Sequence, residues 1–290
     1  MAKKGWQTPA LEGLRVRPGF SVADFDRAST PGFVGEQEWA ERRAAKRVDE
    51  FADLQERLFA EGRSGGSRSI LLVLQGMDTA GKGGIVRHVV GLVDPQGVKH
   101  RSFGVPTEEE RSHHYLWRIR NALPTPGHIG VFDRSHYEDV LVVRVHNLVD
   151  GEPWEERYAE INAFEAELVE GGTTVIKCAL LVSPEEQLRR LASRLQRPDK
   201  FWKYNPSDIT ERGYWYDYQD AYQAMFDATS TDVAPWYAIP ADNKWFARLA
   251  VGSLLLNTLK SLDLGWPAAD FDVDVERARL AALSPDARPA

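Results

Sequence analysis

The chain has 290 residues, 43% hydrophobic and 27% charged, which is the composition of a globular protein with a sizeable core, and its formal net charge of −7 excludes a surface that attracts nucleic acid as a whole. A polyanion would need a local basic patch set against that acidic background. The start, Met1-Ala-Lys-Lys-Gly-Trp, has no apolar signal core, no stretch approaches about 18 uninterrupted apolar residues, and the single Cys178 permits no intrachain disulfide, so a cytoplasmic protein with no membrane partner is expected.

In chain order, residues 1–35 hold Pro9, Pro18, Pro31 and several glycines and read as an arm packed on the body through Phe20, Phe25 and Phe33. Ala40, Ala44, Val48, Phe51, Leu54, Leu58 and Phe59 recur at helical steps and predict one long helix over 36–62. The run from Ser69 is apolar and β-branched, a buried strand, and Ile85, Val86, Val89 and Val90 begin a helix after it. A second strand is expected over 98–103. A helix follows from Thr107, which pairs with Glu110 in a capping box, as far as Leu123-Pro124. Strands are then predicted over 129–133, 173–182 and 236–239. Helices are predicted over 153–168, 184–195, 209–228 and 244–259, and the Ala-, Asp- and Pro-rich tail from Pro267 is expected to fray. Strands alternating with helices imply right-handed βαβ units and a five-stranded parallel sheet covered on both faces, a three-layer αβα sandwich in one domain.

Between the first strand and its helix lies Gly76-Met-Asp-Thr-Ala-Gly81-Lys82-Gly83-Gly84. Strand, glycine loop, lysine and helix in that order are the context of a Walker A phosphate loop, or P-loop. Gly76, Thr79, Ala80, Gly81, Gly83 and Gly84 would turn backbone N–H groups around phosphate oxygens, Lys82 would supply a point charge, and the helix N-terminus adds a favourable dipole. The Ser/Thr that usually follows the lysine and touches Mg²⁺ is Gly83 here, and Asp78 inside the loop offers an alternative oxygen.

In a parallel sheet, ligands gather beyond the carboxyl ends of the strands. The third strand ends in Asp133, a Walker B-like acid able to hold Mg²⁺, with Arg134 in reach of phosphate. His136 reads as a structural hydrogen-bonding residue, because phosphoryl transfer rests chiefly on positioning and charge neutralisation. After the fourth strand come Arg189, Arg190, Arg194 and Arg197, then Lys200 and Lys203. Arg190, Arg194 and Arg197 share one helix face. Nucleoside-monophosphate kinases place the arginines of a mobile lid at this point of the chain, so 184–212 reads as a helical lid. Tyr214, Tyr218 and Tyr222, four apart, read as a core stripe rather than a base-stacking platform. After the fifth strand, Asp242-Asn243-Lys244 brings a lysine to the same edge.

Gly76-Met-Asp-Thr-Ala-Gly-Lys-Gly, Phe132-Asp-Arg-Ser-His-Tyr-Glu-Asp and Ala234-Pro-Trp-Tyr-Ala-Ile-Pro-Ala-Asp-Asn-Lys-Trp together resemble the polyphosphate kinase 2 family over roughly residues 15–265. The resemblance implies a P-loop kinase fold and transfer of phosphoryl groups between inorganic polyphosphate and nucleotides (AMP, ADP, ATP), with Mg²⁺ or Mn²⁺. Asp78 and Asp133 would be the metal and catalytic carboxylates, and Lys82, Arg134 and Arg194 the phosphate-binding cations. It also implies a loop lacking the Ser/Thr and carrying the internal Asp. The His-Tyr-Glu-Asp-Val form of the third-strand motif is most similar to the short, single-domain subgroup that accepts both AMP and ADP. A homo-oligomer, dimer or tetramer, is expected. The neighbouring expectation is an ATP-dependent nucleoside-monophosphate kinase, which shares almost every motif. A non-catalytic polyanion binder is disfavoured, since it has little use for two carboxylates facing its ligand without a metal.

Overall fold

The computed structural model describes residues 4–148 and 154–283. Five parallel strands form the sheet: β1 (Ser69–Gln75), β2 (Val98–Ser102), β3 (Ile129–Asp133), β4 (Thr173–Leu181) and β5 (Trp236–Pro240), in the spatial order β2-β3-β1-β4-β5. The central β1 is buried along its whole length, which its unbroken apolar run requires. Its side chains divide by parity. Ile70, Leu72 and Leu74 enter one core, while Leu71 and Val73 enter the other. The edge strand β2 is mostly exposed and carries Lys99, His100 and Arg101, charges that discourage edge-to-edge pairing.

One face of the sheet is covered by α1 (Val48–Arg63), α2 (Lys82–His88) and α7 (Lys244–Ser261), with Phe33 and Leu14 of the N-terminal arm packed into the same core. The other face carries α3 (Glu138–His146), α4 (Glu156–Glu170) and α6 (Trp215–Thr229). Between β4 and α6, α5 (Pro184–Leu195) leads into a 3₁₀ turn, Pro198–Lys203, and a short helix, Ser207–Arg212. Ser183 caps α5 by accepting the Glu186 N–H at 3.1 Å. The arrangement is the expected three-layer α/β sandwich.

Four local expectations need correction. The helix expected over 36–62 is two helices, Gln37–Ala45 and α1, because the chain turns at Lys46 and Arg47 while the apolar spacing continues across the break. The helix from Thr107 has its capping box, with Thr107 Oγ1 accepting from Glu110 N at 3.1 Å and Glu110 Oε2 from Thr107 N at 3.0 Å, but runs only over Glu108–Arg111. There the Ser112 hydroxyl donates to the Glu109 carbonyl, an alternative to the helical ladder, and helix resumes at Trp117–Arg120. Helix 209–228 is likewise divided at Gly213 and Tyr214. The tail expected to fray contains a helix, Val273–Ala282, capped by Asp272 accepting from Asp274 and Val275 at 3.0 Å. Pro153, expected to open a helix, and the tail beyond 283 lie outside the described residues; α4 begins at Glu156.

The N-terminal arm is tied to the body. Phe20 packs edge-on against Phe226 with centroids 5.4 Å apart, and Gly5–Trp6 pairs antiparallel with Phe33–Val34. Of the tyrosine stripe, Tyr218 and Tyr222 are buried as expected, whereas Tyr214 is more than a third exposed. No helix among the described residues is long and apolar enough to cross a membrane.

Candidate active site

Because all five strands are parallel, their carboxyl ends share one edge, and the residues that follow β1, β3, β4 and β5 converge there on a cleft of about 580 Å³. Register fixes the first two. Leu74, next to last in β1, pairs with Asp133 at the end of β3, so the glycine loop and Asp133-Arg134 leave the sheet side by side.

The glycine loop is shaped by steric demand. A Cβ on Gly76 would lie 2.8 Å from the Leu180 carbonyl oxygen of β4 and 2.9 Å from the Ala80 Cβ, so the loop can hug the sheet only without one. Gly81 caps α2 at φ +119°, where L side chains are strained. Of the four non-glycine residues with positive φ among the described residues, two flank the cleft, Thr79 at +66° and Arg134 at +65°, the kind of backbone cost that concentrates at functional sites. Lys82 is the first residue of α2. Its Nζ turns back into the loop and donates to the Gly76 carbonyl at 2.7 Å. It is buried, and its pKa is lowered by desolvation and by Arg134, against the pull of Asp133, Asp78 and Glu138.

Arg134 and Asp78 meet across the site, with the guanidinium donating to Asp78 Oδ1 at 3.0 Å while Arg134 Nε lies 3.8 Å from the Glu138 carboxylate. Burial opposes the Arg134 charge, yet Glu138, Asp78 and Asp133 outweigh it and raise its pKa. Glu138 itself is pushed above the usual carboxylate range by desolvation, partly countered by Arg134 and Lys82. The turn behind them is locked by Gln75, whose Nε2 donates to Ser135 Oγ at 3.1 Å. His136 is fully buried away from the cleft, 3.2 Å from Glu165 Oε1, in the structural role expected for it.

The lid residues separate into two groups. Arg194, Arg197, Lys200 and Lys203 line the cleft, as does Lys244 from the start of α7. Arg194 donates to the Lys203 carbonyl at 2.8 Å and to Asp208 Oδ2 at 3.0 Å, Arg197 and Lys200 share Asp199, and Lys203 sits over the Trp202 ring at 4.8 Å. Arg190 borders the same cleft but departs from the expectation. It lies under the loop, nine-tenths or more buried, with its guanidinium committed to the carbonyls of Thr79, Ala80, Ala241 and Asp242 and to Glu186 Oε1, so no N–H is left for phosphate. Arg87, Trp202 and Arg248 also line the cleft and were not singled out in the sequence. Arg248 was discoverable, lying one helical turn beyond Lys244 on the same face of α7.

Among the described residues that line the cleft, then, many lysines and arginines stand against two acidic side chains, Asp78 and Asp133, in a protein whose net charge is negative. No cluster of three or more His, Cys, Asp or Glu side chains among the described residues forms an all-protein metal cage. Two hard oxygen donors beside a phosphate loop are nonetheless the donor set that suits a hydrated divalent cation completed by substrate phosphates and water. Parallel sheet, P-loop, Walker B-like acid and basic lid define a phosphotransferase of the P-loop kinase class.

The family follows from comparison. Residues 35–264 match the polyphosphate kinase 2 family, and the chain belongs to it. It is 52% identical to the crystal structure of polyphosphate kinase 2 from Arthrobacter aurescens TC1, with a TM-score of 0.93 over 97% of this chain and 99% of that one. It is 44% identical over 259 residues to the AMP/ADP-polyphosphate phosphotransferase of Meiothermus ruber, covering 89% of this chain and 96% of that protein. The ADP-polyphosphate phosphotransferase of Rhodopseudomonas palustris is 41% identical over 76% of this chain and 79% of its own.

Proposed function

We propose that this protein transfers the terminal phosphoryl group of inorganic polyphosphate to AMP and ADP, reversibly and with Mg²⁺, Mn²⁺ being the natural substitute. The observation that carries the reading is the cleft itself, in which a phosphate loop is continuous with a lid of cations, Arg194, Arg197, Lys200 and Lys203, that extends basic charge well beyond what one nucleotide would need. Such a track suits a polyanion carrying about one charge per unit. The names of the relatives from Meiothermus ruber and Rhodopseudomonas palustris support the same donor and acceptors.

In this reading the terminal unit of polyphosphate lies over the glycine loop, held by its N–H groups and Lys82. Asp78 and Asp133 would hold the metal, which supplies neutralisation of charge on the phosphate oxygens. Arg134, kept beside Asp78 and Glu138, faces the transferring group, and Arg194 reaches it from the lid. A terminal phosphate oxygen of AMP or ADP forms the new P–O bond while the bond to the bridging oxygen of the chain breaks, leaving that oxygen and its electron pair on a polyphosphate one unit shorter. No covalent enzyme intermediate is needed, since positioning and charge neutralisation carry the step. The buried, unpaired Cys178 is compatible with a cytoplasmic home, and self-association into a dimer or tetramer belongs to the same proposal.

The test is product analysis with AMP or ADP, polyphosphate and Mg²⁺, and no ATP. ADP and ATP should accumulate as polyphosphate shortens. A requirement for added ATP would instead assign a nucleoside-monophosphate kinase.

A further inference from the structure

Three successive carbonyls of the glycine loop are taken up by two side chains on one face of α5. Gln187 Nε2 donates to the Asp78 carbonyl at 3.2 Å, and Arg190 Nη1 donates to those of Thr79 at 2.9 Å and Ala80 at 3.0 Å. Both residues are buried. Arg190 is anchored at its far side by the carbonyls of Ala241 and Asp242 after β5 and by Glu186 Oε1 at 2.7 Å. Gln187 is anchored through its Oε1, which accepts from Arg212 Nη1 at 2.9 Å; the same guanidinium donates to the Pro184 carbonyl at 2.7 Å. Arg212 ends the short lid helix, so the chain of contacts runs from the lid through α5 to the loop.

In a trans peptide the carbonyl and the following N–H point to opposite sides. A carbonyl tethered to α5 therefore turns its partner N–H away from α5. An untethered carbonyl could rotate into the cleft and present partial negative charge to a phosphate. We infer that Gln187 and Arg190 are positioning residues that hold the loop carbonyls out of the phosphate site, so that the polyphosphate-binding face of the loop is set by α5 rather than by the glycines alone. The inference rests on the phosphotransferase reading and assigns Arg190 no phosphate contact. Lysine cannot replace it, because one ammonium cannot serve five acceptors spread over three segments, although it conserves the charge.

The test is calorimetric titration of inorganic tripolyphosphate into the full-length wild type, Arg190→Lys, Arg190→Ala and Gln187→Ala, at several salt concentrations, together with kcat and KM for polyphosphate and ADP. Arg190→Lys and Arg190→Ala should both weaken tripolyphosphate about tenfold and lower kcat about 10–100-fold, the scale of a small misplacement of reacting groups. The salt slope of binding and the ADP KM should stay at their wild-type values, because no phosphate-contacting charge is lost. Gln187→Ala, which changes no charge, should show the same pattern more weakly and keeps the test open should Arg190→Ala fail to fold. Wild-type behaviour of Arg190→Lys, or a salt slope reduced by about one in Arg190→Ala, would overturn the inference. A wild type that binds tripolyphosphate without turning it over would refute the function while leaving the clamp to be judged on binding.

Discussion

At the residue scale the cleft holds its charges under tension. The Lys82 ammonium is almost wholly buried, donates to Gly76, and has its pKa pulled down by burial and by Arg134. Gly76, Asp133, Asp78 and Glu138 offset its burial only in part, and its charge serves a bound phosphate, so Lys82→Met should lower turnover by about 10²–10³-fold, in line with loss of a preorganised charge at the reacting centre. The melting temperature should meanwhile hold or rise. Parallel kinetics and thermal melts check both halves, and near-normal turnover would remove the loop from the mechanism. Asp78→Asn and Asp133→Asn keep shape but remove the charge a hard cation needs, and each should raise the Mg²⁺ concentration for half-maximal rate about tenfold. Asp78→Asn should also lower saturated kcat, because Asp78 fixes Arg134 at 3.0 Å. A magnesium titration separates the two effects. These residues were legible in the sequence because each follows a recognisable strand. Arg190 was misread because helical spacing places it on a face with Arg194 and Arg197 but does not say whether a guanidinium meets solvent or a neighbouring loop's carbonyls.

At the element scale, α4, β4, the end of α6 and the residue before α3 are joined by a buried polar network. Lys177 Nζ donates to Glu165 Oε2 at 2.6 Å, to the Thr229 carbonyl at 2.7 Å and to Tyr137 Oη at 2.8 Å, and Tyr137 donates to Glu165 Oε1 at 2.8 Å. Lys177→Met would strand the Glu165 carboxylate and should destabilise the fold by about 3–5 kcal/mol in denaturant titration, while Lys177→Met with Glu165→Leu should recover much of that loss. Desolvation raises the Glu165 pKa, but Lys177 and His136 more than offset it and leave it below the usual carboxylate range. Its contribution is therefore complete above that range and lost as pH falls through the lowered value, so Glu165→Gln should flatten the acid limb of stability against pH. Nothing in the sequence announces this network. Lys177 stands out as a charge inside an apolar strand, but its partners lie on elements whose facing sides only the packed fold determines. The strand boundaries themselves were readable almost to the residue, since β1 is a buried, mostly apolar run and β4 is one broken only by Lys177 after its two threonines. The break at Lys46 and Arg47 was not, because apolar spacing persists through it.

At the scale of the whole molecule, an acidic protein gathers a basic patch at the carboxyl edge of its five-stranded sheet. Arg197 and Lys200 both lean on the exposed Asp199, and such pairs near the surface are weak and screened by salt. Removing Lys200, Lys203 or Lys244 should accordingly raise the KM for polyphosphate about three- to tenfold at low ionic strength, with the effect shrinking at high salt, and leave the nucleotide KM little changed. Equal effects on both substrates would make the lid a solvated face. Arg194 should differ by lowering kcat as well, if it reaches the transferring group as proposed. The central claim, that polyphosphate is itself the phosphoryl donor, is tested most directly by following terminally labelled polyphosphate with AMP and Mg²⁺ in the absence of ATP. The account predicts label in the β-phosphate of ADP from the first turnovers, with the chain shortened by one unit for each. Label that stays in polyphosphate, while AMP is converted only once unlabelled ATP is added, would contradict it.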